Sequence, residues 1–173
     1  MNTARLLLIF VSVLSGCLYA PPLQETEGAN YSPVLRETSP NPTVEEHLVV
    51  APAESMAFRI DSVEDLNVED TLHVRWFLNA EPGDAPIDEH IHRSTGVLVR
   101  GTAWQVDVTP CAVTNTSRRT FYLEALLTDR AFDPSVEPKF RGVPEDALTV
   151  HLGWRVRIDD AAIAECSPLG VIQ

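Results

Sequence analysis

The chain has 173 residues, 25 Asp and Glu against 13 Lys and Arg, and a net charge of −12. So acidic a balance excludes the phosphate backbone of nucleic acid as a main partner and excludes electrostatic adsorption to anionic lipid. The length suits one ordinary domain with short appendages.

The N-terminus carries the parts of an export signal: Arg5, the apolar run 6–14 and the small pair Ser15-Gly16. A transmembrane helix needs ~20 apolar residues, and the stretch 6–20 is shorter than that. Leu14-Ser15-Gly16-Cys17 resembles a bacterial lipobox. That resemblance implies a lipoprotein signal peptide over 1–16, cleavage before Cys17, and fatty chains such as palmitate on that cysteine. Each buried methylene contributes about 0.8 kcal/mol, so two or three chains give stable attachment where one does not. Leu18 follows the cysteine in place of Asp, which in lipoproteins implies the cell outer membrane. Loss of Arg5 leaves 12 basic against 25 acidic residues, a net charge of −13.

Residues 17–46 read as the lipidated cysteine and a disordered linker, with Pro21, Pro22, Pro33, Pro40 and Pro42 among polar residues. As a flexible coil, 18–46 reaches roughly 30 Å. The folded head is expected over 47–173.

Period-two alternation dominates the head. An edge strand is expected from His47 to Ala51, and Met56, Phe58 and Ile60 make a short inward row. Leu72, Val74, Trp76 and Leu78 alternate with His73, Arg75, Phe77 and Asn79. Trp104, Val106 and Val108 oppose Gln105 and Asp107, and Phe121, Leu123, Ala125 and Leu127 follow. The longest row is Leu148, Val150, Leu152, Trp154, Val156 and Ile158. Segments 80–86, 110–117 and 133–144 carry breakers and read as loops. Asp159 to Glu165 reads as a turn or two of helix.

Six to seven such strands predict an all-β antiparallel β-sandwich, with a small closed β-barrel as the alternative. Tryptophan within Val74-Arg75-Trp76-Phe77 resembles the third strand of immunoglobulin-like domains, which implies an inward Trp at the sandwich centre. The whole is similar to uncharacterised outer-membrane lipoproteins.

With Cys17 assigned to lipid, Cys111 and Cys166 remain as an even pair in an oxidising compartment, and a disulfide between them is expected. Glu89-His90-Ile91-His92 is the only metal-like spacing. In an extended segment His90 and His92 point the same way, with Asp84 or Asp88 as a further oxygen ligand. The plainer reading is a polar loop between strands. Asp61, Asp65, Asn67, Glu69 and Asp70 lack the EF-hand spacing and read as solvated loop charge.

Residues 71–79 and 147–158 contain no Asp or Glu. If the two strands share a sheet, His73, Arg75, Phe77, His151, Arg155 and Arg157 form one basic, partly aromatic face, the expected site for a protein partner. Motifs for nucleophilic, phosphate-binding or zinc catalysis are missing. The expectation is a non-enzymatic lipoprotein of the cell envelope without a cofactor, a binding or structural module. The alternative is a periplasmic metal-binding protein using His90 and His92.

Overall fold

The structure, a computed structural model, describes residues 29–36, 39–44, 48–50, 55–113 and 119–159. The expected signal peptide, Cys17, His47, Cys166 and the expected helical turn after Asp159 lie outside these residues.

Among the described residues nine strands form two separate sheets that do not close into a barrel, so the protein is a β-sandwich. In one sheet β4 (Met56–Glu64) is flanked by β7 (Val99–Val108) on one side. On its other side lie two short strands, β1 (Val34–Leu35) and β2 (Pro40–Asn41). The second sheet has the order β3 (Leu48–Val50), β9 (Thr149–Ile158), β8 (Thr120–Thr128), β5 (Leu72–Leu78), β6 (Asp88–His92). The β3–β9 pairing is parallel and the rest are antiparallel, so the second sheet is mixed. In chain order β4 goes to the first sheet, β5 and β6 to the second, β7 back to the first, and β8 and β9 to the second.

Apolar rows of both sheets meet between the layers. Phe58, Ile60 and Val63 of β4 and Trp104, Val106 and Val108 of β7 face Leu72, Val74 and Trp76 of β5. The inner rows of β8 and β9, from Phe121 to Leu127 and from Leu152 to Val156, complete the core. Trp76 does face inward, as the strand pattern predicts. Its indole stacks on Trp154 with centroids 5.6 Å apart and planes at 20°, and Phe58 meets Trp154 edge-on at 5.5 Å. Such contacts add about 0.5–1.5 kcal/mol each beyond area burial.

Three expectations need correction. The segment expected as linker up to residue 46 contributes β1 and β2, so the fold takes in part of it. Prolines discourage a central strand, but an edge strand leaves the missing donor facing away from the ladder. The acidic segment after β4 is not all solvated loop charge: Asp61 lies within β4 and Asp65 is fully buried. Residues 88–92 are an edge strand and not a loop.

The sandwich has two ends. At the near end lie the β4–β5 turn, the start of β7 and the first described residues, where Ala29 O accepts the Asn67 side-chain amide at 3.0 Å. At the far end lie the finish of β7, the short helix α1 (Pro110–Val113) and the finish of β9.

Candidate interaction surface

β5 and β9 do share a sheet, with β8 between them. Register places His73, Arg75 and Phe77 of β5 and His151, Arg155 and Arg157 of β9 on its outer side, with Tyr122, Glu124 and Leu126 of β8 between. The expected face is nevertheless split in two, because the long β8–β9 connection folds back over the β5 side.

Phe77 and Leu126 are buried under this connection, packed with Phe132 and, at their margin, Phe140 and Val143. Arg75 is spent inside the cover. Its Nε donates to Glu89 Oε2 at 3.0 Å, its Nη1 donates to the Phe140 carbonyl at 2.8 Å, and its guanidinium lies 4.1 Å above the Phe132 ring centre. Arg141 sits 3.9 Å over the Phe77 ring and pairs with Glu124 at 2.6 Å. The cover depends on a close chain crossing. Asp133 N–H donates to Gly142 O at 2.9 Å, and a Cβ at position 142 would collide with the Val136 carbonyl. Phe77 is therefore no part of an open aromatic face, and Arg75 is satisfied from within. The acids that the two strands lack come from their neighbours, Glu89 on β6 and Glu124 on β8. Burial holds the His73 imidazole below its ordinary range, with Glu89 opposing and Arg75 assisting.

What remains open is the β8–β9–β3 half. Tyr122, Arg155, Arg157, His151 and Val49 are exposed there. His151 Nδ1 lies 3.3 Å from Glu124 Oε1. The Tyr122 ring lies across the strand over Gly153, whose missing side chain makes room for the phenol. The surface is thus basic with one ordered aromatic, on an acidic protein.

His90 and His92 sit opposite Val74 and Leu72 on β6, so they project from the same side of the strand, as alternation requires. His90 Nε2 lies 3.2 Å from Asp88 Oδ2, and His92 Nδ1 lies 3.0 Å from Arg93 O. Asp84 instead closes a turn, accepting from Glu81 N–H at 2.8 Å. Among the described residues no three His, Cys, Asp or Glu side chains converge in a metal-holding group.

The chemistry that the sequence hides is at the near end. Arg100 and Asp65 are both fully buried and pair at 3.3 Å. Arg100 also donates to Asn67 O at 2.9 Å and to Asp70 O, and Asp65 accepts from Asn67 N–H at 2.9 Å. Burial pushes the Asp65 carboxyl above its ordinary range, while the Asn67 amide and Arg100 pull it back. Beside them Arg130 pairs with Asp70 at 2.8 Å and reaches Asp146 at 3.7 Å, and Asn30 donates to Asp129 Oδ2 at 2.7 Å. These carboxylates are engaged by protein donors and form a structural clasp.

Among the described residues no helix is long and apolar enough to cross a membrane. Comparisons with protein-family models, with curated proteins and with solved structures find no match to this chain.

Proposed function

We propose that the protein is a bacterial lipoprotein, acylated at Cys17 and held to the outer membrane, whose sandwich is a non-catalytic binding or structural module of the cell envelope. The observation that carries this reading is Leu14-Ser15-Gly16-Cys17, set directly after the apolar run 6–14. In support, one face of the described sandwich carries exposed basic and aromatic side chains, Tyr122, His151, Arg155 and Arg157.

The partner surface in this reading is the uncovered half of the outer face, centred on Tyr122, His151, Arg155 and Arg157. Its chemistry favours an acidic protein partner, because guanidinium groups bind carboxylates in bidentate geometry. A disulfide between Cys111 and Cys166 belongs to the same reading. Cys111 sits in α1 at the far end, and the chain leaves β9 at that end too, where Ile158 N–H donates to Arg119 O at 2.9 Å. A bridge closing about 55 residues would stabilise the fold by roughly 4 kcal/mol on the chain-entropy model.

Fractionation of cells expressing Cys17→Ser tests the anchor. The variant is expected in the soluble envelope fraction; sedimentation with membranes like the unaltered protein would overturn the reading. Crosslinking in intact cells tests the surface. Tyr122→Ala with Arg155→Glu should abolish the crosslinked species, whereas Arg75→Glu should act through stability alone.

A further inference from the structure

Among the described residues eleven large hydrophobic side chains are exposed, and six of them gather at the near end: Tyr31, Val34, Leu66, Val97, Leu98 and Val99. The backbone brings them together. Val34 and Val99 flank Glu64 from opposite sides in the same sheet. Leu98 O accepts from Asp65 N–H at 2.9 Å, which puts Leu98 beside Leu66, and Tyr31 N–H donates to Asn67 Oδ1 at 2.7 Å. Exposed apolar clusters on a small domain mark interaction sites.

Several of the surrounding acids are paired with arginine, although among the described residues Glu69 in the same turn meets only the Ser94 hydroxyl. Glu64, in the middle of the patch, pairs with Arg36 at 3.3 Å, Asp65 is paired with Arg100, and Asp70 with Arg130. The end is therefore less repellent to a lipid surface than the net charge of −12 suggests.

The position of the patch selects its occupant. The described chain enters the fold at Ala29, at this same end, and only eleven residues lie between Ala29 and Cys17. Eleven residues can span at most about 40 Å, whatever their conformation. The ten-residue strand β9 spans about 33 Å. Fixed at the near end of a body that long, the connection brings this end, and not the far one, within easy reach of Cys17.

We propose that the near end is a membrane-docking surface, with Leu66, Val97, Leu98 and their neighbours seated in the lipid interface beside the Cys17 anchor. The inference rests on the lipoprotein reading and deepens it. The head then stands upright on the bilayer, and the open half-face around Tyr122 and Arg155 looks sideways and away from the lipid.

The test uses the full-length protein with its acyl chains, reconstituted into phosphatidylethanolamine vesicles with a minority of phosphatidylglycerol. Leu98→Trp and Tyr122→Trp are each compared in plain lipid and in lipid brominated high in the acyl chains. Emission from Trp76, Trp104 and Trp154 of the unaltered protein is subtracted. The added emission at position 98 should fall by about half or more, as expected for side chains ~5–10 Å into the interface, while that at position 122 stays unchanged. Equal quenching at both positions, or none at 98, overturns the proposal. Leu66→Trp carries the same expectation if Leu98→Trp loses its cooperative unfolding. Intact mass on the same sample separates the two claims. Acyl chains present without selective quenching sink only the docking; acyl chains absent sink the anchor and the docking with it.

Discussion

Trp154 Nε1–H donates to the Pro42 carbonyl at 2.6 Å, joining residues 112 positions apart. The indole belongs to the sandwich centre and the carbonyl to a segment rich in proline. The core therefore reaches out to fix the N-terminal arm, and the arm in turn satisfies a donor that would otherwise be buried without a partner.

Ser39 makes a second tie of this kind. It is buried, its Oγ donates to Ser62 O, and Ser62 N–H donates back to Oγ at 3.0 Å. This pair of bonds bridges β4 where its register with β7 shifts between Ile60 and Ser62. Ser39→Ala should lower stability by about 1–3 kcal/mol, the usual result of leaving buried backbone groups unsatisfied. Urea unfolding measures the loss, and hydrogen exchange should show faster exchange at the Ser62 amide. An unchanged Ser62 amide would mean the arm is not held through Ser39.

Arg100 is a larger lever. Arg100→Met strands the buried Asp65 carboxylate and removes donors from the Asn67 and Asp70 carbonyls. Breaking a buried pair from one side typically costs about 3–5 kcal/mol. Adding Asp65→Asn should recover part of the loss, so the double variant is more stable than additivity allows. The sign with pH follows from burial, which already pushes Asp65 up while Arg100 pulls it down. Without Arg100 the folded carboxyl rises further and the folded state prefers the protonated form. The deficit of Arg100→Met should therefore shrink as pH falls from about 7 to about 4 and return as pH rises.

His73 gives the opposite sign. Its folded pKa lies below the ordinary 6.5 because burial disfavours the imidazolium. Its contribution to stability is present above that value and is lost as pH falls through the folded pKa. Urea midpoints taken between about pH 7 and pH 5 should decline more steeply for the unaltered protein than for His73→Gln. Parallel slopes would show that His73 titrates alike in both states.

Much of the sandwich was legible because its inner rows alternate with polar residues over five or more positions. The rows ending in Leu78, Val108 and Leu127 lie on observed strands, the row ending in Ile158 does so from Val150 onward, and the Trp of β5 is inward. Strand β6 escaped notice because Asp88-Glu89-His90-Ile91-His92 holds one aliphatic residue, and β1 and β2 because short edge strands tolerate proline. The cover over β5 did have a signal. Trp76-Phe77-Leu78 and Ala125-Leu126-Leu127 are apolar without alternation, which marks strands buried on both sides. The Asp65–Arg100 pair had none, since these residues lie 35 positions apart and each alone resembles ordinary surface charge.

The anchor is tested most directly by the N-terminal tryptic peptide of the membrane-extracted protein. Cleavage after Arg36 should release residues 17–36 beginning at Cys17 and carrying the mass of two or three fatty chains. A peptide that begins elsewhere, or contains Cys17 without that added mass, would contradict the account.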